Sequence, residues 1–177
     1  MLKRILLFTL AAGMALHSQA QKTLIQCGTL IDGLSDSPKS QVTVTIENDM
    51  IVAVENGYKT GGKNDKVIDL KAYTVMPGFI DMHVHMESEA SRAGYVKRFT
   101  QNEADKAFES TVYAKKTLMA GFTTVRDCGG SGVNISLRNA INAGTVDGPR
   151  IYTAGKGISI TGGHGDPTNG LPFDKMG

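Results

Sequence analysis

The stretch Val75-Met76-Pro77-Gly78-Phe79-Ile80-Asp81-Met82-His83-Val84-His85 separates two kinds of sequence pattern. Pro77-Gly78 is a turn signal. Upstream of it, short runs alternate apolar and polar residues. Downstream, extended runs alternate with helical ones. Phe79 to His83 reads as a short, mostly apolar strand. His83 and His85 stand two apart at its end. Positions i and i+2 of a strand share a side, so both imidazoles can reach one cation. Neutral imidazole suits zinc and other borderline metals. A pair of surface or packing histidines is the plainer alternative, since His-x-His also arises by chance. Asp81 has the same parity and can orient a ligand histidine through its second nitrogen.

Outward on the N-terminal side, Thr23 to Cys27 reads as a strand ended by Gly28. Val42, Val44 and Ile46 alternate with Thr43, Thr45 and Glu47, as in a half-buried strand. Asn48-Asp49 turns the chain into a second strand from Met50 to Val54, forming a hairpin. Gly57 to Lys66 is a polar loop, and Val67–Leu70 and Tyr73–Met76 are two more short strands. Together these residues make a small β unit.

On the C-terminal side, Asn102 to Ala120 reads as a helix, with Ala104, Ala107, Phe108, Thr111, Val112, Lys115 and Leu118 near helical spacing. Thr100 and Glu103 resemble a capping box, and Gly121 fits the stop. Phe122 to Arg126 is the next strand, Ile135 to Ala143 a short helix, and Arg150 to Ala154 a third strand. Strand, helix, strand, helix, strand is the repeat of a parallel α/β sheet. Three strands fall short of the eight of a closed barrel. The chain is therefore expected to be the N-terminal piece of a longer protein.

Other candidates sit at the strand ends, where parallel-sheet enzymes collect their sites. His164 lies in Thr161-Gly162-Gly163-His164-Gly165-Asp166, just past the third strand. A histidine shown on a glycine-rich loop is a substrate contact or an acid–base candidate, or a plain surface residue. Arg126 has the fork of donors that binds a carboxylate; a structural salt bridge to another loop is as good a reading. The glycines at 129, 130 and 132 are too irregular for a phosphate-binding fingerprint.

Lys3 and Arg4, the apolar run Ile5 to Ala15 and Ser18-Gln19-Ala20 read as a secretory signal cleaved before Gln21; an uncleaved anchor is the alternative. Loss of that leader reduces the 19 basic residues to 17, against 17 acidic ones. The mature chain then has no basic excess to neutralise phosphates, which argues against a nucleic-acid partner. The expected location is secreted or periplasmic, with no membrane association after cleavage. Cys27 and Cys128 are the only cysteines, and buried free thiols are expected.

The segment Val75 to His85 resembles the signature of the amidohydrolase superfamily. Ala120-Gly121-Phe122-Thr123-Thr124-Val125-Arg126-Asp127, Gly148-Pro149-Arg150-Ile151 and Thr161-Gly162-Gly163-His164-Gly165 are similar to the branch that holds imidazolonepropionase-like proteins and metal-dependent Xaa-Pro or Xaa-Arg/Lys dipeptidases. The resemblance covers residues 22–177. It implies a (β/α)8 TIM-type barrel beside a small β-sandwich: signal peptide at 1–20, part of the sandwich at 21–76, and the first three βα units of the barrel at 77–177. It implies that His83 and His85 are metal ligands, for one or two divalent ions such as Zn2+, and that His164 contacts substrate. The family's lysine of the fourth strand, histidines of the fifth and sixth, and aspartate of the eighth have no counterpart in residues 1–177. No catalytic proton-handling residue is therefore assigned. The implied reaction is metal-assisted hydrolysis of a small-molecule amide or dipeptide by a secreted enzyme, with a homo-oligomer and a monomer both open for the full-length protein. An imidazolonepropionase-type hydrolase of cyclic amides and an inactive truncated fragment are the alternatives.

Overall fold

The computed structural model describes residues 21–166, 168, 170 and 172. The signal expected at 1–20 lies outside them. The chain forms two compact units that meet in sequence at Pro77 and Gly78. Among the described residues no helix is long and apolar enough to cross a membrane.

The first unit is a four-stranded sheet in the order β3-β2-β1-β4. β1 (Thr23–Leu30) pairs antiparallel with β2 (Lys39–Glu47) and parallel with β4 (Lys66–Val75), and β2 pairs antiparallel with β3 (Met50–Asn56). The β2–β3 hairpin turns on Asn48 and Asp49, both at positive φ, 50° and 62°. These are residues that tolerate the left-handed region the turn requires. Cys27, Leu30, Val42 and Val44 form the core, with Ile25, Ile46 and Val75 packed against it.

Two expectations for this unit need correction. β2 is not half-buried at its centre, because Thr43 and Thr45 are buried as well as Val42 and Val44. The reason is the following loop, which lies over the outer face. Thr43 Oγ1 donates to the Gly57 carbonyl (2.8 Å) and accepts from the Lys59 amide (3.0 Å), while Gln26 Nε2 donates to the Lys59 carbonyl (2.9 Å). A threonine that meets both hydrogen-bonding needs from one loop is buried without penalty. The second correction concerns β1 and β4. β1 runs through Gly28, and the two short strands expected after residue 66 are the arms of one strand. Cys27 pairs with Leu70 and Thr29 with Thr74, so Lys71, Ala72 and Tyr73 bulge opposite Gly28 alone. A Cβ at Gly28 would sit 2.1 Å from the Lys71 carbonyl oxygen. The glycine is thus the point of close backbone approach that lets the strand continue.

The second unit has the α/β character expected of it. β5 (Phe79–Val84), β6 (Phe122–Asp127) and β7 (Arg150–Thr153) form a parallel sheet in sequence order. A short helix, α1 (Gly94–Thr100), and a long one, α2 (Glu103–Met119), connect the first two strands; α3 (Val133–Asn142) connects the next two. Met86, Ala114, Val125, Leu137 and Ile151 form the core. α2 buries its small residues, Ser110 and Ala114, while Phe108 and Val112 are exposed.

The helix start also differs from expectation. Thr100 ends α1, and its hydroxyl donates back to the Val96 carbonyl. Asn102 is the true cap of α2. Its Oδ1 accepts from Ala104 and Asp105 amides at 2.9 and 3.1 Å, and Asp105 Oδ2 accepts from the Asn102 amide. The box is therefore Asn102/Asp105, shifted by two residues from Thr100/Glu103, because α1 has already claimed Thr100. Cys27 is a buried free thiol and Cys128 a half-buried one; burial pushes the Cys27 thiol up.

The bulge gives a stability prediction. Gly28→Ala in the full-length protein should lose about 1–3 kcal/mol, the scale of an overpacked interior site. Chemical denaturation would measure it, and an unchanged midpoint would show that the backbone contact is not as close as described.

Candidate metal centre

Parallel pairing brings the C-terminal ends of the three strands of the second unit to one edge. Val84 is in register with Asp127, and Asp127 with Thr153. The histidine pair sits on this edge. β5 does not reach it by plain alternation, because Asp81 pairs with Val125 and Val84 with Asp127. Met82 and His83 therefore bulge opposite Arg126 alone. Such bulges re-aim side chains beside functional sites. Arg126 supports this one: its Nε donates to the Met82 carbonyl. The arginine read as a carboxylate fork thus has one of its donors committed to the backbone.

His83 and His85 come together. Their rings are 5.5 Å apart between centroids and inclined by 70°, and both residues are exposed. Asp81 does not orient either ring. Its Oδ1 accepts from the His83 backbone amide at 3.0 Å, a local turn contact. The partner of His85 is instead the Gly129 carbonyl, 2.7 Å from Nδ1. A carbonyl only accepts, so this nitrogen carries a proton, and in the neutral imidazole Nε2 keeps its lone pair. That is the arrangement of a metal-ligating histidine whose outer nitrogen is fixed by a backbone acceptor. Gly129 is at φ 139°, and a Cβ there would meet Gly157 at 2.5 Å. The glycine run that carried no phosphate fingerprint supplies the residue that orients His85.

The same loop holds two buried or half-buried carboxylates. Asp127 is 1% exposed. Its oxygens accept from the amides of Met86 (2.8 Å) and Gly129 (2.9 Å) and from Asn134 Nδ2 (2.9 Å). It does not pair with Arg126. Glu87 accepts from the amides of Ser131 (2.7 Å), Gly132 (3.3 Å) and Asn134 (2.8 Å), at the start of α3. The anion that this helix start favours is therefore a side chain of the chain itself. Nothing in the local pattern of Glu87 announced this, since its partners lie more than 40 residues away.

A cavity of about 370 Å3 opens beside His85, lined also by Glu87, Lys97, Glu109, Tyr113 and Gly129. Lys97 Nζ lies 2.8 Å from both Glu109 oxygens, and Tyr113 donates to the same carboxylate at 2.9 Å. The Glu109 carboxylate raises the Lys97 ammonium pKa, and the lysine holds Glu109 below its ordinary range. Burial, then Glu109, pushes Tyr113 up. Lys97 escaped notice in the sequence because α1 carries no long apolar period, and Glu109, on α2, reads in the sequence only as part of a mixed solvated face.

As a donor set the pair fits a borderline divalent cation: two imidazoles on one side, with the free nitrogen of His85 defined. It is an incomplete set. Among the described residues no three His, Cys, Asp or Glu side chains converge on one point. His164 is not brought to the pair. It is exposed in the turn after β7, with no ring contact or hydrogen bond to His83 or His85. Asp166 closes that turn, accepting from the Gly162 amide (2.6 Å) and from the amide and hydroxyl of Thr168 (2.9 and 2.7 Å).

Those bonds, the Gly162 amide first, hold Asp166 below the ordinary carboxylate range. A lowered folded-state pKa stabilises the turn above the unfolded value of about 3.9 and is lost as pH falls through the folded value. The turn carrying His164 should therefore stay closed at pH 4 and open only in stronger acid. The Gly162 amide chemical shift reports this, and a midpoint near the ordinary carboxylate value would contradict it. Asp166→Asn should open the turn at neutral pH.

Comparison with known proteins bears on this arrangement. Residues 74–173 match the amidohydrolase family model. The chain is 28% identical over 151 residues to ochratoxinase of Aspergillus niger, covering 84% of this chain and 31% of that protein. A crystal structure of a Xaa-Pro dipeptidase with bound methionine in its active site superposes with a TM-score of 0.79 at 45% identity, covering 87% of this chain and 38% of that one. A prolidase complexed with N-methylphosphonate-L-proline gives 0.71 at 38% identity, covering 82% and 35%. The chain thus spans about a third of the length of these relatives. The matched residues include β5 with its histidine pair, the glycine loop that orients His85, and all three strands of the parallel sheet; the chain belongs to the amidohydrolase family.

Proposed function

We propose that the full-length protein is an exported, metal-dependent dipeptidase that hydrolyses Xaa-Pro or related dipeptides. The observation that carries this reading is the His83–His85 pair with His85 Nδ1 fixed on Gly129, in a chain 45% identical to a Xaa-Pro dipeptidase. His83 and His85 would hold a divalent ion, zinc by the chemistry of the donors. When bound, such an ion supplies Lewis acidity toward an amide carbonyl.

The chain's own residues do the rest of what can be derived. The Gly129 carbonyl keeps the His85 proton on Nδ1, so Nε2 is ready to donate its lone pair. The bulge at Met82-His83, propped by Arg126, sets the direction of the first imidazole. The cavity beside His85 gives a small substrate a place at the strand ends, with Lys97, Glu109 and Tyr113 as its polar wall. His164 is the residue we assign to substrate, from the next loop along the same edge. Two imidazoles fall short of the roughly three protein ligands of a catalytic zinc; the others would come from outside the described residues. The barrel, the sandwich and export through the leader at 1–20 belong to the same proposal.

The test is metal analysis and peptide hydrolysis with the full-length protein. Stoichiometric zinc and turnover of Xaa-Pro dipeptides are expected. His83→Ala and His85→Ala should each lower kcat by more than about a hundredfold, since loss of a ligand exceeds the 10–100-fold typical of its supporting groups. His164→Ala should act chiefly on KM. A zinc-loaded protein that cleaves no dipeptide would refute the substrate class.

A further inference from the structure

We infer that Asp127 is a positioning residue for His85, fixing both its ring and its backbone from the neighbouring strand. The argument is geometric. Asp127 Oδ1 accepts from the Gly129 amide at 2.9 Å, and the carbonyl of that same residue accepts the His85 Nδ1 proton at 2.7 Å. Asp127 Oδ2 accepts from the amide of Met86, the residue after His85, at 2.8 Å. One carboxylate therefore holds His85 from two sides. Val84, the residue before His85, is tied to the same turn, since its carbonyl accepts from the Cys128 amide at 3.0 Å.

The carboxylate itself is held. It is 1% exposed, and Asn134 Nδ2 donates to Oδ1 while also donating to the Gly155 carbonyl. Both partners of that nitrogen are acceptors, so the Asn134 amide orientation is fixed too. Glu87 grips the following stretch through the amides of Ser131, Gly132 and Asn134 but makes no bond to the Gly129 peptide. Among the described residues Asp127 is the side chain that bonds Gly129; the next peptide, whose carbonyl takes the His85 proton, is held through its Gly130 N–H on the Gly155 carbonyl, and Asn134 ties that carbonyl back to Asp127. A carboxylate is needed because it presents acceptors alone: three N–H donors converge on it, and any amide in its place would turn a donor toward one of them.

The significance for metal binding rests on the reading of His85 as a ligand, but the positioning can be tested apart from it. In the metal-free full-length protein, 15N-labelled histidine should show His85 as the Nδ1–H tautomer alone. Asp127→Asn should show a mixture of both tautomers. In the zinc-loaded protein the same variant should lose metal to a competing chelator with at least about tenfold weaker retention, the scale for a lost supporting group. Leu137→Ala serves as the comparison. It loosens the same core without touching these hydrogen bonds, so it should lower the melting temperature and leave tautomer and retention at wild-type values.

A folded Asp127→Asn protein with wild-type tautomer and wild-type zinc retention would overturn the inference. So would equal losses in Leu137→Ala, which would mark plain loosening. Should Asp127→Asn fail to fold, the wild type decides: a rapidly exchanging Gly129 amide, or His85 protonated on Nε2, overturns the inference, whereas a protected amide with the Nδ1–H tautomer upholds it. If the wild type retains no zinc but shows this tautomer and the variant loses it, the metal reading fails and the positioning stands.

Discussion

A carboxylate withdrawn from water has to be surrounded by donors, and Asp127 draws its donors from three parts of the second unit. They are the segment leaving β5, the turn leaving β6, and the first residues of α3. Hydrogen bonds to a charged group are worth about 1.5–3 kcal/mol each, and one left without partners in the interior costs more than it gains. The three donors must therefore be in place together or not at all. This ties the strand that carries the histidines to the loop that orients them. The rest of the edge follows: Cys128 bonds back to Val84, Gly130 bonds to Gly155, and Glu87 closes the start of α3.

The constraint also explains why the loop is so rich in glycine. Gly129 has to offer its amide to Asp127 and its carbonyl to His85 while its Cα passes against Gly157. A side chain has no room there, and the backbone angle is one that residues with a Cβ rarely adopt. The sequence motif at 129–132 thus serves an internal purpose. Its amides do bind an anion, as glycine-rich helix starts tend to, but the anion is Glu87.

In the first unit the same economy of backbone groups appears in a different form. Gly28 lets β1 pass a bulge of three residues without ending, and Thr43 with Gln26 pins the loop after β3 over the outer face of the sheet. The core of this unit is made by Cys27, Leu30, Val42 and Val44, with Ile25, Ile46 and Val75 against it, and the part contributed by β2 follows the alternation visible in the sequence.

The sequence by itself determined the α/β pattern, the parallel order of elements, the histidine pair and the family. The first three depend on short-range regularities: a period of two or of 3.6, a turn signal, or a spacing of two residues on one strand; the family rests on the resemblance of four motif segments. It misplaced what depends on partners far along the chain. The α2 cap lies at Asn102, not Thr100, because Thr100 is the last residue of α1 and its hydroxyl donates to the Val96 carbonyl. Asp81 proved to accept from the backbone amide of His83, two residues on, and the outer nitrogen of His85 found the Gly129 carbonyl, 44 residues away. Arg126 and Asp127, adjacent in sequence, went to opposite tasks, one propping the bulge and the other buried beneath the loop. Strand neighbours point to opposite sides, so their roles are fixed by whatever lies on each side. Only the tertiary structure decides that, because register and burial are settled by pairing between strands, and no local spacing encodes them.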